Sequence, residues 1–367
     1  MDGMAMRMAM LSANAFGARV WEQGPRGTDA FAVPDWVMGE LGTSAWGRHY
    51  LSVNVMLTAE KWLFPDAGYP ELAQIGETNA AGAPFIDAQH PHSSPIMGLT
   101  FADTIGLGEG GFLKLSFAPR GEALDGPIPF MHRETGEVNP DAPLGHHIGQ
   151  DVGHVSSTVL GASLKLGSTR VDVSAFHGAE PEPENVDLPL GAPDSLSARV
   201  IEELAPEWLA MASLARVNAP EPDEPSVLFE TRASASVYWH HGLGTWTYSS
   251  SLILGAIAGY DAVPWLVSFA DEFLLSGGDE RIWGRVEVLE RTASELGVSE
   301  ATGPRWIAAG TLGYTHRFFS ASGVDLGLGG SLTKTLMPGD LLSAYGGNPW
   351  SGKVFAQLSL AFEAGAF

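Results

Sequence analysis

The chain reads as an all-β protein, a transmembrane up-and-down antiparallel β-barrel of about sixteen strands with short turns at one end and long loops at the other. Three observations predict it. Large apolar side chains alternate at period two with Gly, Ser and Thr, so each strand has one greasy face and one small, polar face. The connections between strands alternate short and long along the whole chain. Charged residues make up only 17%, against about 25% in an ordinary soluble domain. A helical membrane protein is excluded, because no apolar run approaches about 18 residues. The greasiest stretch, Leu252 to Ala258, is short and is interrupted by Gly255.

Residues 1–10 form a methionine-rich segment expected in the periplasm, and 11–367 form the barrel. The first strand, 11–22, gives way at Gln23 to a long connection ending at Phe31. Strand 32–43 turns at Gly42 to Gly47 into strand 46–59, where Leu51, Val53, Val55 and Leu57 alternate with Ser52, Asn54, Met56 and Thr58. A connection from Glu60 to Ser94 follows. Strands 95–106 and 111–118 flank a tight turn, Leu107 to Gly111, and a second very long connection runs from Pro119 to Val152. Strands 153–167 and 169–177 share the turn Gly167–Ser168. After Gly178 to Asp194 come strands 195–205 and 206–217, joined at Ala205 to Glu207. Asn218 to Ser226 leads to strands 227–241 and 244–257, in which Trp246, Tyr248, Leu252 and Leu254 alternate with Thr245, Thr247, Ser249 and Ser251. Strands 263–275 and 280–291 turn at Ser276 to Glu280, and Thr292 to Gly303 leads to strand 304–318. Past Phe319 to Gly323, strand 323–336 sets Val324, Leu326, Leu328 and Leu332 against Asp325, Gly327, Gly329 and Ser331. Met337 to Pro349 precedes the last strand, 350–362, with Val354, Leu358, Leu360 and Phe362 on one face and Lys353, Gln357 and Ser359 on the other.

Sorting of junctions into two lengths is what an outer-membrane barrel requires, with short periplasmic turns, long outer loops and both termini inside. Aromatics near strand ends, among them Trp36, Trp46, Trp62, Trp208, Tyr238, Trp239, Trp265, Trp283, Trp306, Tyr314 and Trp350, suit interfacial girdles. The expected location is the bacterial outer membrane, in contact with lipid and lipopolysaccharide, after export. MDGMAMRMAM has no continuous apolar core, so the signal peptide is expected to have been removed. The formal net charge of −23 excludes a nucleic-acid binder and would favour cations wherever it lines the lumen. The absence of cysteine decides little about compartment.

Histidines gather in the two longest loops. The strings are Asp87-Ala-Gln-His90-Pro-His92, Phe130-Met131-His132-Arg133, Asp141-Ala-Pro-Leu-Gly-His146-His147 and Asp151-Val-Gly-His154. Neutral imidazole is a good ligand for Zn or Cu. Glu77, Asp87, Asp141 and Asp151 supply carboxylates that can orient the rings. The same residues also suit loops that hydrogen-bond one another in a barrel mouth. A second candidate is Met4, Met6, Met8 and Met10, which share a face if extended and offer the soft thioether sulfurs that select Cu(I). The plain alternative for them is an adaptable apolar tail. His154, Ser156, Ser157 and Asp151 are neighbours in sequence, but no Gly-X-Ser-X-Gly elbow is present, and the chain is not expected to be an enzyme.

The strings Gly76-Glu77-Thr78, Asp87, His90-Pro91-His92, Phe130-Met131-His132-Arg133, Asn139-Pro140, Ala142 to His147 and Asp151 resemble a family of poorly characterised bacterial outer-membrane barrels with His-rich loops. Such proteins often occur in metal-handling, notably copper-resistance, settings. The likeness runs on through Ala175-Phe176-His177-Gly178, Glu180-Pro181 and Glu184-Asn185 to the final strands. Where that family often has a basic residue before Gln-His-Pro-His, this chain has Ala88. The resemblance implies a barrel and an association with metals. Two functions are therefore expected. One is porin-like passage, or metal-linked handling, of small solutes through a lumen narrowed by His-bearing loops. The other is a structural barrel with a closed lumen that docks a protein, lipid or surface-layer partner. Homo-oligomerisation is compatible with either.

Overall fold

The computed structural model of the chain describes residues 7–79, 81–92, 94–151, 153, 155–180, 190–220, 227–259, 264–299, 301 and 303–366. In chain order its strands are β1 (Arg7–Glu22), β2 (Asp29–Ala32), β3 (Asp35–Ser44), β4 (His49–Leu57), β5 (Tyr69–Thr78), β6 (Pro84–Gln89), β7 (Ile96–Gly108), β8 (Gly111–Gly121), β9 (Ser156–Leu166) and β10 (Thr169–His177). They continue with β11 (Ser195–Ala205), β12 (Trp208–Asn218), β13 (Phe229–Leu243), β14 (Trp246–Ala258), β15 (Leu266–Gly277), β16 (Glu280–Thr292), β17 (Pro304–Ala321), β18 (Val324–Leu336) and β19 (Trp350–Ala366).

Every neighbouring pair in the large sheet is antiparallel, and β1 pairs with β19 from Arg7↔Ala366 to Glu22↔Ser351, which closes the sheet on itself. Both β2 and β3 pair with β1. Between them stand Val33 and Pro34, and Pro34 has no N–H to give a ladder, so the two segments are one wall strand broken at proline. Since β5 and β6 form a separate hairpin, the wall is a closed barrel of sixteen strands.

The period-two pattern sets the two faces. On β11, Ser195, Ser197, Arg199 and Ile201 are buried inward while Leu196, Ala198 and Val200 face out. The outer surface is a continuous belt of exposed Leu, Val and Phe that includes Leu41, Val53, Phe101, Leu160, Leu214, Leu254, Leu312 and Leu332. So much exposed apolar area in a ring needs an apolar solvent around it. The tight turns between wall strands lie at one end together with Arg7 and Ala366.

The sequence-predicted strands all occur, with shifted ends. Among the described residues β1 already includes Arg7 to Met10, ahead of the expected start at residue 11, so Met8 and Met10 belong to β1 rather than to a separate tail. Backbone pairing to Gly365 and Glu363 on one side and to Gly42 and Glu40 on the other holds them there. The girdle is real for Trp46, Trp208, Trp265, Trp306 and Trp350, which are exposed. It fails for Trp283, which is fully buried in the lumen and donates Nε1–H to Thr315 Oγ1 at 3.1 Å. It fails also for Tyr238, whose hydroxyl accepts the inner-loop Ile128 N–H, and for Trp36, which packs edge-on to His132.

Two connections, after β4 and after β8, fold inward and fill the lumen. The first carries a one-turn helix α1 (Glu60–Leu63) and the β5–β6 hairpin, neither of which the sequence pattern announced. A second short helix, α2 (Leu342–Tyr345), lies in the connection before β19. Leu72, Ala73 and Ile75 of the hairpin and Leu144 and Ile148 of the second loop pack with Ile257, Leu266, Leu289 and Ile307 of the wall. These loops thus have a core of their own inside the barrel.

Candidate metal centre

The plug is tied to the wall by polar side chains that point into the lumen. Asn14 Nδ2 donates to Glu137 O at 2.7 Å, and Gln357 Nε2 donates to Asn14 Oδ1 at 3.0 Å. Glu287 Oε1 accepts the Leu144 N–H at 2.6 Å, and Arg291 Nη2 donates to Leu144 O at 2.7 Å. Ser268 Oγ donates to Ile148 O at 2.7 Å. On the opposite wall Ser213 Oγ accepts the Gly126 N–H at 2.8 Å, and Arg199 pairs with Glu122 at 2.6 Å. At the centre Glu272 receives both arms of Arg133 (3.0 and 2.8 Å), Thr135 Oγ1 (2.8 Å) and Arg285 Nε (3.0 Å). Arg285 also donates to the carbonyls of Asp141 and Ala142. Because buried charges are costly unless paired, this network fixes where the second loop can lie.

At the hairpin end His90 meets the turn His146–Gln150. One imidazole nitrogen from each of His90, His146 and His147 lies within 4.8 Å of the others. Ring centroids are 4.7 Å apart for His146 and His147 and 5.3 Å apart for His90 and His147. Phe130 stands edge-on to His146, and Phe85 faces His90. The approach requires glycine at position 76, where a Cβ would fall 2.7 Å from His90 Cδ2. It requires glycine at 255 on the wall, where a Cβ would meet Ile148 O at 2.0 Å. Below His147 is a cavity of about 40 Å³ lined by Glu77, Glu180, Glu230, Glu295 and Arg291.

Burial, then the nearby His92, pushes the His90 imidazole down to about 4, so it is neutral near pH 7 and its lone pair is available to a metal. His92 behaves differently. Burial works against its charge, but Glu60 Oε2, 2.6 Å from Nδ1, with Asp151 and Asp35 beyond, outweighs it and raises the imidazole. His92 therefore belongs to an ion pair with Glu60. Burial raises the Asp151 carboxyl to about 7. Asp151 lies 3.9 Å from His146 Nδ1 and accepts the Phe130 N–H at 3.1 Å.

Of the sequence-selected residues, His90, His146 and His147 come together, with Asp151 and Glu77 beside them. The others have different places. Asp87 accepts from the Ala73 N–H (2.8 Å), the Tyr345 hydroxyl (2.8 Å) and Arg26 (2.5 Å), which pins the hairpin at two residues with positive φ, Ala73 and Asp87. Asp141 accepts from the Tyr69 hydroxyl at 2.7 Å and pairs with Lys353. His132 stacks edge-on to Trp36 at 5.2 Å, away from the three. Met8 and Met10 are on the inward parity of β1 at the short-turn end. Met4, Met6 and His154 lie outside the described residues. Glu60, Glu272 and Arg285 were not foreseen as functional. Their partners are 32, 139 and 144 positions away, and no local spacing signals such pairing.

No family model and no curated protein matches the chain. Solved structures do. The chain is similar to the anion-selective porin from Comamonas acidovorans, at 12% identity and TM-score 0.53, covering 98% of this chain and 99% of that one. It is similar to Salmonella typhi OmpF in complex with daunomycin, at 9% identity and TM-score 0.58, covering 96% and 97%. It is also similar to outer-membrane expressed OmpT of Vibrio cholerae, at 8% identity and TM-score 0.52, covering 98% and 99%. At these identities the likeness is one of fold.

Proposed function

We propose that this chain is a porin-like barrel of the bacterial outer membrane, long loops outward, whose lumen is narrowed by a plug holding a three-histidine site for Zn or Cu. The function is metal-linked handling of small solutes. The observation that carries it is the convergence of His90, His146 and His147 nitrogens within 4.8 Å on loops anchored to the wall. The lipid-facing belt and the likeness to outer-membrane barrels support the location, with lipid and lipopolysaccharide as the surrounding partners. Imidazole nitrogens suit a divalent borderline metal, and three of them leave a coordination position for a solute or water.

The test is direct. The purified full-length barrel is stripped with chelator, re-equilibrated with Zn(II) or Cu(II), and its metal content measured by mass spectrometry. Wild type is expected to retain metal in proportion to protein, and His90→Ala with His146→Ala and His147→Ala to fall to background. Equal retention by both would remove the metal from the function. Planar-bilayer traces with and without Zn(II) then report whether occupancy alters passage.

A docking barrel with a closed lumen is favoured by one observation, the ring of hydrogen bonds from the plug to strands on opposite walls. Complete absence of conductance, together with a co-purifying protein, would make it the better reading.

A further inference from the structure

On the short-turn side of the plug is a cavity of about 290 Å³ whose lining includes Met38, Met56, Met97, Met131 and His132. The methionines come from four different segments, β3, β4, β7 and the second loop. Met38 and Met56 stand directly opposite each other in the ladder. The register shifts between Met56 and Leu57 where β4 meets β7, and Met97 is buried next to Gly98, the partner of Met56. Met56, Met97, Met131 and Phe130 form one buried cluster, with Met38 and Trp36 packed at its edge. On β1, Ser12 faces Met38, and Met10 faces Glu40 one inward position nearer the mouth, followed by Met8. Among the described residues only Met211 and Met337 lie outside this row.

Simple packing does not call for this choice. The largest buried cluster inside the lumen is built from Leu, Ile, Ala and Tyr345 with a single methionine, Met337. Leucine and isoleucine hold one shape better than methionine does. What thioethers add is a soft, uncharged lone pair. Glu40, Lys114 and Glu122 also line the cavity, and Glu122 is already paired with Arg199, so the soft sulfurs rather than the carboxylates have to hold the ion. The turn Phe130–His132 lies between the two regions, with Phe130 touching both the methionine cluster and His146, and Met131 within the cluster.

We propose that Met38, Met56, Met97 and Met131, with His132, form a site for a soft monovalent cation, Cu(I) or Ag(I), distinct from the three-histidine site. It uses none of the residues of that site, so the two readings stand or fall separately. Thioether sulfur selects Cu(I) over the divalent ions that imidazole and carboxylate prefer. The row from Met8 and Met10 gives such an ion a line of ligands from the short-turn mouth to the plug.

The probe is Ag(I), which needs no reductant. The full-length barrel in detergent is equilibrated with Ag(I) and, separately, with Zn(II), and bound metal is measured by mass spectrometry and titration. Replacing Met38, Met56, Met97 and Met131 by leucine keeps volume and apolarity while removing sulfur. The expected result is an affinity for Ag(I) lower by about tenfold or more, with Zn(II) binding as in wild type. The variant lacking His90, His146 and His147 is expected to do the reverse. Ag(I) held as tightly by the leucine variant as by wild type overturns the proposal. Should the fourfold variant fail to fold, as judged by its gel mobility before and after boiling, Met56→Leu and Met131→Leu are titrated singly with the same expectation. X-ray absorption at the Cu edge of the wild-type Cu(I) form gives an independent reading. Sulfur neighbours support the site, and a shell of nitrogen and oxygen alone overturns it. If Zn(II) fails to bind wild type while Ag(I) binds and is lost in the leucine variant, the histidine reading falls and this one stands.

Discussion

At the scale of single residues, the centre of the plug depends on Glu272, a fully buried carboxylate on β15 that holds Arg133 from the loop and Arg285 from the neighbouring strand. Removing one partner of a buried pair leaves a charge without compensation, which costs about 3–5 kcal/mol. Arg133→Ala is expected near the lower end, about 3 kcal/mol, because Arg285 remains 3.0 Å from Glu272. Thermal or urea unfolding of the variant checks the size. Single-channel recording checks the accompanying expectation that a loosened plug raises open-state noise. An unchanged midpoint would mean that the loop is held by its apolar contacts alone. The histidines were legible in sequence because two of the three are adjacent and the third lies in a His-Pro-His string. The methionines of the cavity were not, although Met38 and Met56 both occupy inward positions of neighbouring strands. That signal exists only once the register opposing them is known.

At the scale of elements, the wall was legible almost strand by strand, because its alternation and its turns are local properties of the chain. The β5–β6 hairpin was not. It is buried on both faces inside the lumen, so it has no alternating pattern, and its register is irregular between Pro70 and Ile75. The turn His146–Gln150 lies flat against β14 only because position 255 has no side chain. Gly255→Val is therefore expected to displace that turn and to abolish Zn(II) retention while leaving the barrel folded. Metal content against gel mobility checks both halves at once. Full Zn(II) retention in this variant would show that the turn can reseat without its contact to the wall.

At the scale of the whole molecule, a net charge of −23 sits on a barrel whose outer belt is apolar, so the charge is confined to the lumen, the rims and the loops. Acidic linings raise local cation concentration. Under a salt gradient across a planar bilayer the reversal potential is expected to report preference for cations by several-fold, opposite in sign to an anion-selective porin. A reversal potential near zero or of the anion-selective sign would place the acidic groups away from the conducting path. The closing seam carries a final consequence. From β10 to β19 each strand pairs with the next in sequence, so the far wall can assemble one hairpin at a time at little cost in chain entropy. The seam between β1 and β19 joins opposite ends of the chain and is the slowest contact to find. The plug, by contrast, comes entirely from the two connections between β4 and β9 and makes its bonds to strands as late as β19. Glu137 O in the plug accepts from Asn14 of β1 and from Gln357 of β19, one on each side of the seam, so its bonds are complete only when the ring is closed. The plug is in this sense a latch laid across the closing joint, and docking it and shutting the ring reinforce each other.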